Sequence, residues 1–404
     1  MSEEVPRYEA IVLGLGGHGS ASLYHLSKQL GDKVLGIEQF GVAHDKGSSH
    51  GLSRIIRLAY HEHPSYVPLL KRAYTLWREL EGATGRGLLY ETGGLDIAPP
   101  TATGYNGFKR ALQCCREHGL EHEVLSAEEV NSRYPGYTLP PHFQALLQPQ
   151  GGILASERCI AAHISAAQQQ GAQVHLHERA CGWWVDPRTQ DVMVKTDKCK
   201  YRAGRLVITG GAWMTQLIPE FQGFLKVERQ VVGWFKCQEN HHFQQSLFPV
   251  FILLDDSQNG FYGFPAFDHK SMKIGKFGHR GEWSSPDTLD RNVYPEDEEV
   301  LRVAVQKYFQ SANHEMVQAV PCMFSNTPDQ HFIIDHHPRH KQVIVCSACS
   351  GHGFKFCSVV GEITADLALK GQTEHPIDLL RFNPARPGIA EVLQRMHGSA
   401  SPKM

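Results

Sequence analysis

The stretch "EAIVLGLGGHGSASLYHL", residues 9–26, decides the fold that we expect for this chain. It begins as a short apolar run rich in β-formers, continues through Gly14, Gly16 and Gly19, and ends in a helical pattern. The segment VLGIE, Val34 to Glu38, is typical of a second strand. The order of strand, glycine turn, helix and strand predicts the first unit of a dinucleotide-binding domain.

The glycine spacing suits a bound pyrophosphate. Gly14 permits a tight turn, Gly16 lets backbone N–H groups approach the phosphates, and Gly19 permits close packing of helix and strand. The positive end of the helix dipole would face the negative charge. Glu38 follows Gly19 by nineteen residues, where a carboxylate that binds ribose hydroxyls is expected. The alternative is a tight turn that binds no ligand.

The composition is that of an ordinary globular protein. The 404 residues are 41% hydrophobic, which is enough for a large core and two domains. Because 40 basic and 42 acidic residues nearly cancel, we expect neither nucleic acid nor a membrane as a partner. The first residues lack a signal-peptide pattern, which favours a cytoplasmic protein, and Pro402–Met404 resembles a peroxisomal address only weakly.

Segments with α/β character occur at the start, middle and end of the chain and enclose two strand-rich inserts. This alternation predicts an α/β fold, with a Rossmann-type cofactor domain and a discontinuous α+β substrate domain built on an antiparallel sheet. Ser126 and Glu129 have the spacing of a capping box at the start of a helix. We assign residues 1–85, 150–225 and 320–385 to the cofactor domain, 86–149 and 226–319 to the substrate domain, and 386–404 to a C-terminal tail.

A basic segment, QFGVAHDKGSSHGLSRIIRLAY, follows Glu38 directly. We expect its Arg54 and Arg57 to lie one helical turn apart, among isoleucine, leucine and alanine residues. A solvated basic face would account for two arginines. It would not account for their apolar neighbours, because a buried guanidinium needs an anionic partner.

Several blocks of sequence, taken in order, identify a family that the chain resembles. They are GSSHGLSRIIRLAY (47–60), FYGFPAF (261–267), MKIGKFGH (272–279), CMFSNTPDQHFIID (322–335) and SGHGFKF (350–356). In order and spacing the chain resembles the monomeric sarcosine oxidase and pipecolate oxidase family, FAD-dependent oxidases of secondary amino acids related to D-amino-acid oxidase. The resemblance implies that the Rossmann-type domain binds FAD and that the protein is a monomer.

The resemblance also implies roles around the flavin. Cys322 matches the cysteine that carries FAD through an 8α-S-cysteinyl thioether. Lys273 matches the lysine that promotes reaction with O2, since an ammonium group stabilises developing negative charge. His50 and Arg54 match groups that lie against the flavin. Further cofactor contacts are implied for Ser48, Gly351, Gly353 and Lys355.

On the substrate side, Arg57 and Lys355 match the pair that binds the substrate carboxylate, and Tyr262 matches a tyrosine of the pocket. Two positions depart from the family pattern. Phe277 replaces a usual histidine, and Phe324 replaces a frequent tyrosine. Both changes make the pocket less polar, which puts sarcosine in doubt as the preferred substrate and leaves a bulkier or cyclic imino acid open.

The stretch CSACSGHGFKFC, residues 346–357, combines three cysteines with a histidine and a lysine. No clustered histidine pair accompanies the cysteines, so we predict packing residues and no metal site. Ser350 to Phe354 should form the turn into the last helix, whose N-terminal amides would face the flavin pyrimidine ring. The clusters His61–His63 and His336–His337 are expected to be loop or surface residues.

The expected activity is oxidation of a secondary amino acid such as sarcosine, another N-methyl amino acid, proline or pipecolate. A hydride would pass from the substrate to flavin, and O2 would become H2O2. Two alternatives stay open: a dehydrogenase of the same fold that uses another electron acceptor, and a flavin-bearing subunit without activity of its own. Nicotinamide-dependent reduction would leave Cys322, Lys273 and the arginine pair unexplained.

Overall fold

The computed structural model describes residues 5–102, 104–267, 270–347 and 349–398. In chain order, the strands are β1 (Arg7–Leu13), β2 (Val34–Ile37), β3 (Arg54–Ile56), β4 (Leu89–Glu91), β5 (Gly94–Ala98), β6 (Glu123–Ser126), β7 (Gln144–Gln148), β8 (Gly152–Leu154), β9 (Gln173–His175), β10 (Ala180–Val185), β11 (Val192–Thr196), β12 (Lys200–Ile208), β13 (Lys226–Lys236), β14 (Val250–Leu254), β15 (Gly260–Phe264), β16 (Ser271–Lys276), β17 (Trp283–Ser284), β18 (Met316–Asn326), β19 (Ile333–His337) and β20 (His340–Ser347). The helices are α1 (Gly17–Leu30), α2 (Tyr66–Thr84), α3 (Tyr105–Glu117), α4 (Ala127–Arg133), α5 (Ser156–Gln169), α6 (Met214–Leu217), α7 (Pro295–Tyr308), α8 (Cys357–Lys370) and α9 (Ile389–Gly398).

The first sheet is centred on β1, as the opening stretch predicts. β1 pairs in parallel with β2 on one side and with β12 on the other. The sheet continues to β9 beyond β2 and to β20 and β19 beyond β12, while the β10–β11 hairpin pairs with the first half of β12. Both faces of β1 are covered: Ala10 and Val12 belong to a core with α1, α5 and α8, and Ile11 and Leu13 to a core on the opposite face.

The second sheet has the order β17-β13-β16-β15-β14-β5-β7-β6, with β18 also paired to β13. Its pairs are antiparallel except for β5 with β14. An aromatic core that includes Phe248, Phe251 and Phe309 covers one face. On β13, Trp234 lies opposite Lys273 of β16, and Gln230 lies opposite Cys322 of β18. This register places Lys273 and Cys322 on strands that flank the same central strand.

A small third sheet, in the order β3-β8-β4, contains Arg54. The predicted helical turn from Arg54 to Arg57 is therefore wrong. Ile55 and Ile56 are β-branched, and they pair with Ile153 and Gly152 of β8, so the backbone is extended. Three extended residues separate the two arginines by about 10 Å along the chain, instead of stacking them on one helical face.

The structure confirms one of the other predictions, contradicts a second and leaves the domain boundaries untested. The capping box at Ser126 and Glu129 is confirmed. His337 is 1% exposed within β19, so its expected place in a loop or on the surface is wrong. The strands of the first sheet all lie within the residues assigned to the cofactor domain, but β18 crosses the assigned boundary at 320. The domain boundaries stay a prediction.

The predicted C-terminal tail includes α9, whose Ile389, Val392 and Met396 pack into the core beside the first sheet. Pro402–Met404 lies outside the described residues. Among the residues described, we find no helix with the length and apolar character needed to cross a membrane.

Candidate active site

A cleft of about 1860 Å³, counted with the solvent space at its mouth, collects most of the predicted site residues. It extends from the glycine turn after β1 to the second sheet. Gly19 and His50 do not line it, because Gly19 packs inside the turn and His50 is buried. The predicted residues that do line it are Gly14, Gly16, Glu38, Ser48, Arg54, Arg57, Tyr262, Lys273, Cys322, Gly351, Gly353 and Lys355.

The glycine turn has the geometry that a pyrophosphate needs. Gly14 has a φ of +87°, which favours glycine. A Cβ on Gly19 would lie 1.7 Å from the Gly14 carbonyl oxygen, so no side chain fits there. A Cβ on Gly16 would meet only the Ser49 hydroxyl, at 4.0 Å, so its backbone is open to the cleft. These residues therefore fit the diphosphate of FAD.

Glu38 also fits its predicted place. Its Oε2 accepts a hydrogen bond from the Leu15 amide at 2.7 Å, and its Oε1 accepts one from the Phe40 amide at 3.0 Å. A carboxylate has further lone pairs, which leaves acceptors for ribose hydroxyls. The turn at Thr209–Gly211, which was not predicted as part of the site, lines the same end of the cleft. The sequence feature that could have indicated this turn is the run RLVITGG, a buried strand that ends in two glycines.

Arg54 is held by backbone carbonyls rather than by a carboxylate. Its Nη2 donates to the carbonyls of Ser48 at 2.7 Å and His50 at 2.6 Å, and its Nη1 donates to that of Ser53 at 2.7 Å. His50 is 5% exposed, and burial together with the nearby Arg54 charge lowers its pKa to about 4. The imidazole is therefore neutral near pH 7, and Arg54 carries the positive charge.

Lys273 lies at the other end of the cleft and is 2% exposed. Its Nζ donates to the carbonyls of Gly51 at 2.7 Å and Ser53 at 3.0 Å and to the Ser53 hydroxyl at 3.1 Å. The rings of Phe264 and Trp234 lie 4.5 and 5.3 Å from Nζ. Burial, with a smaller effect of Arg54, holds the pKa of Lys273 well below its usual value.

Arg57 already has anionic neighbours. Its Nη2 donates to Glu62 Oε2 at 3.3 Å, and its Nη1 lies 3.8 Å from Asp96 Oδ2. Nη1 also donates to the Ala59 carbonyl. Burial alone would lower the pKa of Arg57, but the carboxylates of Asp96 and Glu62 raise it. The expected anionic partner of the buried guanidinium is thus supplied by the protein itself.

Lys355 follows the turn that precedes α8. Its Nζ donates to the His352 carbonyl at 2.6 Å and lies 5.5 Å from the centre of the Tyr60 ring. Burial and the nearby Arg57 charge lower the pKa of Lys355 to about 7, although Glu62 opposes this shift. Arg57 and Lys355 therefore provide one permanent cation and one that titrates near neutral pH.

Two of these neighbours were missed from sequence. His61 and Glu62 lie in a loop, as expected, but the sequence did not indicate that Glu62 lines the cleft with a side chain only 17% exposed. Asp96 was not identified as a site residue. The sequence feature that could have indicated Asp96 is a single acidic residue inside the apolar segment GGLDIA, which contains β5. Burial raises the pKa of Asp96.

Aromatic side chains form the wall beside Lys273. The rings of Tyr262 and Phe277 lie 4.8 Å apart, and both line the cleft with Phe264 and Phe324. Burial raises the pKa of Tyr262, so its hydroxyl stays protonated at neutral pH. The two departures from the family pattern, Phe277 and Phe324, thus both lie at the cleft.

Cys322 is 5% exposed, lines the cleft, and has a thiol pKa that burial raises. The turn at Ser350–Gly351 packs against the same strand, since the Ser350 amide donates to the Ser325 carbonyl at 2.9 Å. Gly351 has a φ of +75°, and a Cβ there would lie 2.9 Å from the Phe324 ring. The predicted turn is therefore present, but the helix that follows it is α8 and not the last helix, since α9 comes later in the chain.

The three cysteines of this stretch differ in burial. Cys346 and Cys349 have C-x-x-C spacing, which some metal sites use, but the described residues contain no cluster of metal-ligating side chains. Cys346 and Cys357 are buried packing residues, as predicted, whereas Cys349 is half-buried and lines the cleft.

Comparison with known proteins agrees with this geometry. The family model for DAO, FAD dependent oxidoreductase, matches residues 9–367. The chain is 38% identical to monomeric sarcosine oxidase of Bacillus sp. (strain B-0618) over 393 residues, which cover 96% of this chain and 98% of that protein. It is 32% identical to N-methyl-L-tryptophan oxidase of Yersinia pestis (strain Pestoides F) over 383 residues, which cover 94% of this chain and 99% of that protein.

A solved structure shows the same fold. NikD, an unusual amino acid oxidase essential for nikkomycin biosynthesis, superimposes with a TM-score of 0.80 at 22% identity, and the match covers 93% of this chain and 97% of NikD. This likeness supports a Rossmann-type FAD domain joined to a substrate domain. The family model and the curated relatives span nearly the whole chain, and the chain therefore belongs to the family of FAD-dependent oxidoreductases that includes the monomeric sarcosine oxidases.

Proposed function

We propose that this chain is an oxidase of a secondary amino acid that carries FAD covalently on Cys322 and uses O2 as the electron acceptor. One observation supports this most directly: Cys322, Lys273 and the Arg57–Lys355 pair line the same cleft as the glycine turn. A cofactor that carries a nucleotide at one end and a reactive ring at the other would be long enough to join the glycine turn to these residues. The names of the relatives, sarcosine oxidase and N-methyl-L-tryptophan oxidase, support the substrate class.

When bound, FAD would supply a hydride acceptor and a route for two electrons to O2. The protein residues would hold the substrate. Arg57 would bind the carboxylate through its planar fork and Lys355 would add a point charge, which orients the substrate carbon that loses hydride. The aromatic wall of Tyr262 and Phe277 would exclude water from that carbon.

Lys273 would act on the oxygen side. Its ammonium lies in a buried place, where a fixed charge stabilises developing negative charge more strongly than it would in water. Its three hydrogen-bond acceptors fix the ammonium in one position. A buried cation that is already positioned needs little reorganisation when O2 is reduced.

The wall of the cleft supports a substrate larger than sarcosine. Phe277 and Phe324 offer apolar surface and no hydrogen-bond donor at the cleft. An N-methyl amino acid with an apolar side chain, or a cyclic imino acid such as pipecolate, would bury that surface. The relatives' names support a monomer, and we keep the cytoplasm as the proposed location.

The test is an absorbance spectrum of purified protein before and after acid precipitation. We expect the yellow colour to stay with the pellet, and to move to the supernatant in Cys322→Ala. Release of flavin from the unsubstituted protein would overturn covalent attachment but not FAD binding.

A second measurement addresses the activity. Anaerobic addition of sarcosine, proline, pipecolate or an N-methyl amino acid should bleach the flavin, and air should restore its colour with release of peroxide. Bleaching that needs an artificial acceptor for its reversal, without peroxide, would support the dehydrogenase alternative. Failure of all these compounds to bleach the flavin would support the inactive flavin-bearing subunit.

A further inference from the structure

Glu157 is a half-buried carboxylate that the proposed function does not use. It lies in the first turn of α5 and lines no part of the cleft. Its Oε1 accepts hydrogen bonds from the backbone amides of Gly51 at 2.7 Å and Leu52 at 3.1 Å. Its Oε2 accepts from the Leu52 amide at 3.1 Å and from the Ser156 hydroxyl at 2.7 Å. One carboxylate therefore binds two consecutive amides of a distant loop.

That loop has an uncommon backbone. Gly51 has a φ of +99° and Leu52 a φ of +71°, although the left-handed region is unfavourable for leucine. The Ser156 amide donates to the Leu52 carbonyl at 3.3 Å, which adds a further tie to α5. Contacts to Glu157 and Ser156 offset the cost of this conformation.

The loop that contains Gly51 and Leu52 contacts Glu157 through its amides and Lys273 through its carbonyls. The amides of Gly51 and Leu52 point to Glu157, while the carbonyls of Gly51 and Ser53 and the Ser53 hydroxyl accept hydrogen bonds from Lys273 Nζ. The Gly51 carbonyl also accepts from the Ser53 amide at 2.9 Å. The position of the lysine ammonium thus depends on a backbone conformation that the carboxylate holds.

We propose that Glu157 is a positioning residue for the reaction with oxygen: it holds the Gly51–Ser53 loop, which fixes the Lys273 side chain, and its negative charge favours the protonated form of the lysine. The proposal rests on the role in oxygen reduction that the proposed function gives to Lys273. It adds a remote carboxylate, contributed by α5, to the residues on which that role depends.

The charges around Lys273 support the proposed effect of Glu157 on the protonation of the lysine. Arg54 on β3, Cys322 on β18 and Glu157 on α5 are the groups whose charges influence the lysine. Burial and Arg54 lower the pKa of Lys273, whereas Glu157 raises it. Cys322 would carry no charge as a thioether, and His50 is neutral near pH 7. Glu157 is then a negative group that opposes Arg54, although its effect on the lysine is smaller.

Three substitutions separate the parts of the proposal. Glu157→Gln keeps an oxygen acceptor for the amides but removes the charge, and Glu157→Ala removes both. Lys273→Met tests the underlying role of the lysine. Glu81→Gln is a matched control, since Glu81 Oε1 accepts hydrogen bonds from two consecutive amides, Leu88 at 2.7 Å and Leu89 at 3.0 Å, at the start of β4, which does not line the cleft.

The first measurement is the rate at which substrate-reduced holoenzyme is reoxidised by O2, across a range of pH. We expect Glu157→Gln to slow reoxidation by about tenfold at pH 8, and to shift the loss of rate at alkaline pH toward lower pH, because the lysine releases its proton more easily without the carboxylate. Flavin reduction by substrate should change little, and Glu81→Gln should match the unsubstituted protein in both steps.

The second measurement does not depend on activity. Hydrogen–deuterium exchange of the segment 48–56 in resting holoenzyme should be unchanged in Glu157→Gln and faster in Glu157→Ala, because only alanine leaves the Gly51 and Leu52 amides without an acceptor. Faster exchange in Glu157→Gln would show that the loop is also disturbed in this variant, and the assignment of its effect to charge alone would be wrong.

The outcomes distinguish two failures. If Lys273→Met reoxidises at the normal rate, the proposed role of the lysine is wrong and the proposal falls with it. If Lys273→Met slows reoxidation while Glu157→Gln keeps both the rate and its pH profile, the lysine role stands and the proposal for Glu157 is wrong.

Discussion

Arg57 and Asp96 form a buried charge pair in which Nη1 lies 3.8 Å from Oδ2. The carboxylate is fixed, because Asp96 lies within β5 between Leu146 of β7 and Ile252 of β14. Glu62, the other acidic neighbour of Arg57, lies in a loop and lines the cleft. If Arg57 binds the substrate carboxylate, as we propose, that carboxylate would replace Glu62 on the guanidinium and would share Arg57 with Asp96.

Removing the fixed carboxylate should strengthen anion binding. We expect Asp96→Asn to tighten the binding of 2-furoate, a carboxylate without an amine, by about fivefold to tenfold, because Arg57 then faces one anion fewer. Titration of the flavin absorbance with 2-furoate gives the Kd. Binding of neutral 2-furamide should not change, and Asp256→Asn, in the exposed turn between β14 and β15, should leave both affinities unaltered. An unchanged Kd for 2-furoate would show that Asp96 does not compete for Arg57.

The affinity for carboxylates should depend on pH through Lys355. The pKa of Lys355 is lowered to about 7, so its ammonium is present below that pH and lost above it. We therefore expect the Kd of 2-furoate to be nearly constant below pH 6.5 and to rise as the pH increases through about 7. Lys355→Met should bind more weakly at low pH and lose this dependence, whereas a profile that persists in Lys355→Met would assign it to another group.

Lys273 should matter for the reaction of reduced flavin with O2 and much less for the oxidation of substrate. We expect Lys273→Met to slow flavin reoxidation by about a hundredfold or more, since it removes the fixed charge that stabilises reduced oxygen. Stopped-flow measurement of the two half-reactions should show a much smaller effect on anaerobic reduction. Equal losses in both half-reactions would indicate general damage to the site.

Phe277 should control substrate size and polarity. The centre of its ring lies 4.8 Å from that of Tyr262, and Phe277 is 38% exposed, so a histidine fits there without disturbing the core. We expect Phe277→His to lower kcat/KM for an apolar N-methyl amino acid by about tenfold relative to sarcosine, because apolar burial against the ring is lost. The ratio of the two kcat/KM values is the measurement. Phe267→Leu, a change at a residue that does not line the cleft, provides the control.

The opening stretch determined the start of the fold because its constraints are local. The apolar run fits a strand buried on both faces, and the positive φ at Gly14 together with the close contact at Gly19 admits little else than glycine. The motif blocks likewise predicted that Lys273, Cys322, Arg57 and Lys355 belong to one site, and all of them line the cleft. Their catalytic roles stay predictions.

Only the tertiary structure decided the partners of those residues. Arg54 occupies a strand and not a helix because β8 pairs with its neighbours. Asp96 meets Arg57 through the register of β5, and Glu157 meets the Gly51–Ser53 loop through the start of α5. Local sequence cannot predict such contacts, since charges far apart in the chain meet only when strand pairing and helix packing fix their positions. The sequence by itself thus determined most of the groups that line the cleft, although not Glu62 or the Thr209–Gly211 turn, and the fold decided which charges surround them.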